Sequence, residues 1–316
     1  MPKLPPLPPL DRALVRAEGV QCDALGCIEA LVPATDVYTC GDPNAPALLL
    51  VPGLGVDGLS FIRQLPLGAV SDLRLLQVPN GPFEGGKESR APSPGEGGRG
   101  RPPLLKGAGA LEQFAHCAEA YILASKLDQR PGGLVLGGAS MGGAISLLIA
   151  ARGRVKLRGL VLIGTFGSCR QLRTAWRWLA PLGYVVPFGA FRRFSWLVKG
   201  WLKIGGTHSD EARWMGRPLL SRTHGYFGRA ICGLTRHEVI DAARQLRVPT
   251  LVLHGAKDSV LPLAAGEELA RVIPGARFVA IEGGRHSCFF SHAEVVNAAI
   301  EGFIASIRSS SVTGDE

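Results

Sequence analysis

The sequence lacks the long hydrophobic runs that cross or enter a membrane. No stretch of the 316 residues approaches the roughly 18 uninterrupted apolar residues that a membrane-spanning helix needs. The first residues, MPKLPPLPPLDRALVRAEG, carry prolines and charges where a signal peptide would have its apolar core. Both absences predict a soluble protein in the cytoplasm.

The sequence also lacks cysteine pairs with the spacing of a metal site. Its seven cysteines are scattered, and no second close pair accompanies Cys22 and Cys27. No group of carboxylates and histidines has metal-ligand spacing, and no glycine-rich loop fits a phosphate-bearing cofactor. We therefore expect free, buried cysteines, no metal ion and no cofactor.

Charged residues are scarce, at 19% of the chain against 46% hydrophobic residues. This balance excludes a disordered chain and is typical of a globular enzyme. The net charge of +9 would suit nucleic acid or an anionic surface, but the sequence contains no nucleic-acid-binding motif.

Short apolar runs alternate with segments of helical periodicity along most of the chain. Strands are predicted at 24–32, 36–40, 46–53, 72–80, 133–139, 157–166, 250–255 and 277–283, the first two as an entry hairpin. Helices are predicted at 58–65, 111–127, 141–153, 264–273 and 293–307. The alternation predicts an α/β fold: eight strands in a mostly parallel sheet with helices on both faces.

Four segments interrupt this alternation. They are a proline-rich arm at 1–23, a glycine- and proline-rich surface loop at 81–103, a helical insertion at 169–240 and a flexible tail at 309–316. The predicted core therefore consists of residues 24–168 and 241–308, and the insertion separates its sixth and seventh strands.

The strongest local motif is GGASMGGA, between a predicted strand and a predicted helix. Gly138, Ser140 and Gly142 fit G-x-S-x-G, the nucleophile elbow. A tight strand-to-helix turn holds the serine in a strained conformation, and side chains at the two glycines would clash. The following helix directs its N-terminal amides at the site, which favours developing negative charge.

A nucleophilic serine needs a base, and the base needs an acid that fixes its tautomer. Asp258 follows the seventh predicted strand and His286 follows the eighth. All three residues lie beyond carboxyl ends of parallel strands, where side chains converge. Glu282 and Asp57 are weaker substitutes for the acid, and His254 is expected to line or support the pocket. The other histidines are expected at the surface or at helix caps: His116, His208, His224, His237 and His292.

The order Ser140, Asp258, His286 resembles that of the α/β-hydrolase family, serine esterase and lipase type, over residues 24–308. The resemblance implies that Ser140 attacks a carbonyl, His286 moves the proton and Asp258 orients His286. It also implies that VPGLGVDG is the oxyanion loop, so that the backbone N–H groups of Leu54 and Met141 would hold the oxyanion. Two departures are Pro52-Gly53 in place of His-Gly, and Arg285 in place of a glycine before the histidine.

Residues 169–240 resemble the family's cap, which covers the active site and shapes the substrate pocket. This segment has twelve lysines and arginines against three acidic residues, an excess equal to the net charge of +9 of the whole chain. All five tryptophans lie in it: Trp176, Trp178, Trp196, Trp201 and Trp214. Its stretch 188–204 combines an aromatic face with a basic stripe. That pattern suits packing on the core, contact with an anionic membrane or binding of an anionic partner.

These features predict a hydrolase of carboxylic esters with apolar acyl or alkyl groups. Three alternatives stay open: another reaction on the same scaffold (thioester, carbon–carbon or amide cleavage, or acyl transfer), a non-catalytic binding relative, and a membrane-surface protein acting through its cap.

Overall fold

The structure is a computed structural model that describes residues 16–20, 35–56, 58–76, 109–172 and 230–309. Several predictions concern other residues. The strand at 24–32, the loop at 81–103, residues 173–229 of the insertion and the tail after residue 309 lie outside the described residues.

The described strands form one sheet. They are β1 Arg16–Val20, β2 Thr35–Cys40, β3 Ala47–Val51, β4 Asp72–Leu76, β5 Leu134–Ala139, β6 Gly159–Ile163, β7 Thr250–Gly255 and β8 Arg277–Ile281. Their order across the sheet is β1-β2-β4-β3-β5-β6-β7-β8. β2 pairs antiparallel with β1 and β4, and all other neighbours are parallel. The predicted mostly parallel sheet is therefore confirmed.

The described helices follow the predicted order. They are α1 Ala110–Ala124, α2 Met141–Arg152, α3 Ile240–Ala243, α4 Leu263–Val272, α5 Cys288–Ser291 and α6 Ala293–Ser309. The predicted helix at 58–65 is a 3₁₀ segment, Gly58–Ala69, that contains Pro66. Two short 3₁₀ turns are Leu127–Gln129 and Cys169–Gln171. Within the described ranges, no helix combines the length and the apolarity needed to cross a membrane.

Successive residues of the central strands pack on opposite faces of the sheet. Leu49 and Val51 of β3 belong to one buried cluster, with residues of α1 and α2. Leu48 and Leu50 belong to a second cluster, with residues of the 3₁₀ segment Gly58–Ala69 and of α6. All five residues of β3 are buried because helical segments cover both faces, which explains the continuous apolar runs in the sequence.

The antiparallel start of the sheet differs from the predicted entry hairpin. The outer neighbour of β2 is β1, from Arg16 to Val20, inside the segment assigned to a proline-rich arm. β2 pairs with β1 on one side and with β4 on the other. β1 is the outermost strand of the described sheet, and its sequence, RAEGV, has no continuous apolar run.

The two ends of the insertion meet at a short stem on the core. Ser168 and Glu238 form an isolated antiparallel bridge, and Ser168 Oγ donates a hydrogen bond to Glu238 Oε2 over 2.7 Å. The Cys169 N–H donates to the His237 carbonyl over 2.7 Å, and the Val239 N–H donates to the Gly167 carbonyl over 2.9 Å. The described residues on the two sides of 173–229 therefore meet at one place, after β6 and before β7.

Candidate active site

Ser140 lies on the sharp turn between β5 and α2. Its φ of 54° and ψ of −120° place it in a region that residues with a side chain rarely adopt. The turn is held by two hydrogen bonds: the Ser140 N–H donates to the Ile163 carbonyl over 2.9 Å, and Thr165 Oγ1 donates to the Ser140 carbonyl over 2.7 Å. The hydroxyl is thereby fixed at the carboxyl end of the sheet.

The two glycines of the elbow lie where backbone segments touch. A β-carbon on Gly138 would lie 2.4 Å from the Gly142 carbonyl carbon, and one on Gly142 would lie 2.0 Å from the Val51 carbonyl oxygen. Only glycine allows this close approach of β3, β5 and α2. The sequence-based reason for these glycines therefore agrees with the geometry.

His286 faces Ser140 from the loop that follows β8. Its Nε2 lies 3.0 Å from Ser140 Oγ, and its side chain is 17% exposed. The loop is fixed to the end of β7, because the Lys257 N–H donates to the Gly284 carbonyl over 2.7 Å. The ring is thus held in place and remains partly exposed.

Asp258 completes the line from the turn after β7. His286 Nδ1 lies 2.8 Å from its Oδ2, and its Oδ1 accepts the N–H groups of Val260 at 2.8 Å and Leu261 at 3.0 Å. Since an ionised carboxylate only accepts hydrogen bonds, His286 Nδ1 carries the proton and Nε2 is free to accept the Ser140 hydroxyl proton.

The electrostatics of the turn keep Asp258 ionised. Burial by itself would raise the pKa of the Asp258 carboxyl. The opposing effects of His286, of a hydrogen bond from His254 and of the Leu261 N–H are larger in sum, and they hold that pKa well below its ordinary value.

The structure adds a contact that the sequence analysis missed. His254, expected only to line or support the pocket, is fully buried, and its Nε2 lies 3.4 Å from Asp258 Oδ2. The sequence signal was the spacing H-x-x-x-D at the end of β7. That spacing alone does not fix side-chain directions across a turn.

The predicted oxyanion loop lies beside the serine. A β-carbon on Gly53 would lie 3.4 Å from the Ala139 carbonyl oxygen and 3.5 Å from Ser140 Cβ. Leu54 follows in this loop and is half-buried, whereas Met141 is the fully buried first residue of α2. Both residues therefore border the Ser140 turn.

The other candidates lie elsewhere or outside the described residues. Glu282 is exposed, Arg285 is half-buried next to His286, and Asp57 lies outside the described residues. His237, expected at the surface or a cap, is instead buried at the stem of the insertion, where its ring contacts Phe166 edge-on at 5.5 Å. The local sequence around His237 does not indicate its burial, because the residues that bury it, such as Phe166, are distant in sequence. Among the described side chains, no group of three or more His, Cys, Asp or Glu could hold a metal ion.

Comparison with known proteins agrees with this fold. Residues 98–292, more than half of the chain, match the family model described as serine aminopeptidase, S33. The chain belongs to this family of α/β-hydrolases. Its fold and its similarities place it with the esterase and lipase type of that fold.

Curated relatives of this S33 family member are hydrolases. It is 29% identical over 211 residues to pimeloyl-[acyl-carrier protein] methyl ester esterase of Neisseria meningitidis serogroup B, covering 61% of this chain and 76% of that protein. It is also 29% identical over 180 residues to 2-hydroxymuconate semialdehyde hydrolase of Pseudomonas putida, covering 53% and 61%. Among solved structures, a thermophilic esterase from Thermogutta terrifontis aligns with a TM-score of 0.68 at 20% identity, over 92% of this chain and 99% of that one.

Proposed function

We propose that this protein is a serine hydrolase that cleaves carboxylic esters through an acyl-enzyme intermediate. The observation that carries the proposal is the hydrogen-bonded line from Asp258 through His286 to Ser140, with 2.8 Å and 3.0 Å between the bonded atoms. Ser140 lies on a strained turn at the N-terminus of α2, which suits a nucleophile. The methyl ester esterases among its relatives support the ester class.

In the first half-reaction, Ser140 Oγ attacks the carbonyl carbon of the ester while His286 Nε2 accepts the hydroxyl proton. Asp258 stabilises the imidazolium that forms and keeps His286 Nδ1 protonated. The tetrahedral intermediate then collapses, the carbon–oxygen bond to the leaving group breaks, and His286 returns the proton to that oxygen. An alcohol leaves, and the acyl group remains on Ser140.

In the second half-reaction, water replaces the alcohol. His286 Nε2 accepts a proton from water as the water oxygen attacks the acyl carbon, and the same proton returns to Ser140 when the acid departs. The backbone N–H groups of Leu54 and Met141 are the proposed donors to the oxyanion in both halves. Losing one such donor costs about 10²–10³ in rate in other enzymes of this type.

The proposed architecture is the eight-stranded core with a cap, residues 169–240, inserted between the sixth and seventh strands. The aromatic composition of the cap supports an apolar acyl or alkyl group as substrate. The names of the relatives add methyl esters of carrier-linked acyl chains to the candidate substrates. Amide cleavage is a second candidate, because the matching family model is described as serine aminopeptidase.

The experiment compares wild type with Ser140→Ala on p-nitrophenyl esters from acetate to palmitate, a methyl ester of a carrier-linked acyl chain and an aminoacyl p-nitroanilide. We expect turnover of an ester and a loss of at least about 10³-fold in the variant. Ser306→Ala is the matched control: this serine is on α6, it is not part of the line from Asp258 to Ser140, and its hydroxyl donates to the Phe303 carbonyl over 2.7 Å.

Labelling with a fluorophosphonate gives a readout that needs no knowledge of the substrate. Covalent mass on the peptide containing Ser140 in wild type, and none on that peptide in Ser140→Ala, supports the nucleophile. If Ser140→Ala turns over an ester as fast as wild type, the proposed function is wrong. If the anilide is turned over faster than every ester, amide hydrolysis would replace ester hydrolysis as the proposed reaction.

A further inference from the structure

His254 is a buried histidine that the reaction steps above do not use. It is the fifth residue of β7, and its side chain has no solvent exposure. Its Nε2 lies 3.4 Å from Asp258 Oδ2 and 3.3 Å from the Leu261 carbonyl oxygen. The ring therefore touches both the carboxylate that holds His286 and the backbone of the turn that carries this carboxylate.

The neighbours of the ring decide which nitrogen carries the proton. A carbonyl oxygen and an ionised carboxylate only accept hydrogen bonds, so His254 Nε2 must be the N–H donor. The other nitrogen, Nδ1, is buried and has no hydrogen-bond partner among the described residues. A neutral ring with its proton on Nε2 fits these surroundings, and it presents one donor to the Asp258 turn.

Helix α4 packs against the His254 ring on the side of Nδ1 and Cγ. A β-carbon on Gly266 would lie 2.6 Å from His254 Nδ1 and 2.9 Å from its Cγ. The helix backbone therefore packs directly on the imidazole, which a side chain at position 266 would prevent. This contact is independent of the polar contacts and stops the ring from turning away from Asp258.

Asp258 consequently sits between donors on two sides. Its Oδ1 accepts the N–H groups of Val260 and Leu261, and its Oδ2 lies within reach of both His254 and His286. The two backbone donors belong to the same turn as the carboxylate. His254 adds a side-chain donor that comes from β7 itself.

We propose that His254 is a positioning residue, which holds the Asp258 carboxylate so that Oδ2 stays aligned with His286 Nδ1. This inference rests on the proposed function for its effect on rate. The alignment of His254, Asp258 and His286 is independent of the proposed function, because the bond between His286 and Asp258 exists without substrate. Loss of the His254 donor loosens that alignment, and the proton transfer step slows while substrate binding is unchanged.

The test compares His254→Leu, which removes the donor, with His254→Gln, whose amide nitrogen can reach the place of Nε2. We expect His254→Leu to lower kcat about tenfold to hundredfold with KM within about twofold, and His254→Gln to restore kcat to within about threefold of wild type. Thr250→Val, at the opposite end of β7 and also buried, controls for disturbed strand packing and keeps wild-type kcat.

A second readout needs no turnover. The proton on His286 Nδ1 gives a downfield NMR resonance, because it lies in a short hydrogen bond to a carboxylate. We expect this resonance to move or broaden in His254→Leu and to stay in His254→Gln. The proposal would be overturned if His254→Leu kept the wild-type resonance and the wild-type kcat. It would also be overturned if His254→Leu and His254→Gln lost kcat equally. Full activity of Ser140→Ala would instead overturn the proposed function, and the resonance would still test His254.

Discussion

Gly142 of α2 touches the backbone of β3 at Val51. A β-carbon on Gly142 would lie 2.0 Å from the Val51 carbonyl oxygen and 2.5 Å from that of Pro52. Real β-carbons do not approach backbone oxygens so closely. The helix that follows Ser140 can therefore reach its position only while this residue is glycine.

Gly142→Ala should disrupt the site and the fold together. Relief of the clash requires α2 to move away from β3, and overpacking of this kind costs about 1–3 kcal/mol or more in other proteins. We expect a loss of at least about 2 kcal/mol in the free energy of unfolding, measured by urea denaturation. Ester hydrolysis should fall as well, since Met141 and Ser140 move with the helix.

Gly302→Ala is the matched control for that substitution. Gly302 is in α6, and a β-carbon there would meet nothing within 4 Å. Alanine is favoured over glycine inside a helix by about 0.5–1 kcal/mol, so this variant should be slightly more stable than wild type and equally active. Equal stability of Gly142→Ala and wild type would show that α2 and β3 can separate without cost.

The stability of the protein should fall in mild acid because of His237. Burial lowers the pKa of His237 to about 4, and the charge of Glu112 only partly opposes this effect. The unfolded chain has a histidine pKa of about 6.5, so it binds a proton between these two values that the folded chain does not bind. Stability is therefore lost as the pH falls from about 6.5 towards 4, by about 2 kcal/mol between pH 7 and pH 5.

Urea denaturation at pH 7 and pH 5 measures this difference, and His237→Phe tests its source. Phenylalanine keeps an aromatic ring beside Phe166 but cannot take up a proton. The variant should lose most of the difference between the two pH values. An unchanged difference would assign the acid sensitivity to other groups, such as His116, whose pKa is also lowered by burial.

Arg152 should matter for stability through the carboxylate that it covers. Its Nη1 donates to Glu119 Oε2 over 2.8 Å, and the Glu119 side chain is only 2% exposed. Burial raises the pKa of Glu119, and Arg152 and Arg154 oppose this shift. We expect Arg152→Met to lower the free energy of unfolding by about 3 kcal/mol, since it leaves a buried charge without its main partner.

The second variant for this pair is Arg152→Met combined with Glu119→Leu. Removal of both charges should recover most of the loss, because no buried ion then remains. Arg244→Met is the control: its pair with Asp241 is exposed, and its loss should cost less than about 0.5 kcal/mol. A double variant as unstable as Arg152→Met would mean that packing, and not charge, makes Arg152 important.

The sheet and its covering helices could be predicted because strands that are buried on both faces consist mainly of apolar residues. β3, β5, β6 and β7 are entirely buried, and each contains three or more successive apolar residues in the sequence. Ser140, Asp258 and His286 could be brought together because each follows a strand at the same edge of a parallel sheet.

The sequence did not reveal features that depend on long-range contacts. β1 lacks an apolar run, and its pairing with β2 joins residues as far apart in sequence as Arg16 and Thr39. The amide of Gln64 donates to Asn297 Oδ1 over 3.2 Å, although 233 positions separate the two residues in sequence. The contact between His254 and Asp258 depends on how a turn directs two side chains, which residue spacing alone does not specify.

The bridge between Ser168 and Glu238 joins the chain on the two sides of residues 173–229. Because both ends are joined at one point on the core, β6 and β7 could be connected there by a short linker with little additional loop-closure entropy. The substitution of one insertion for another would require a graft at this single junction. Such an exchange would replace no residue of the line from Asp258 through His286 to Ser140, because all three lie outside residues 168–238.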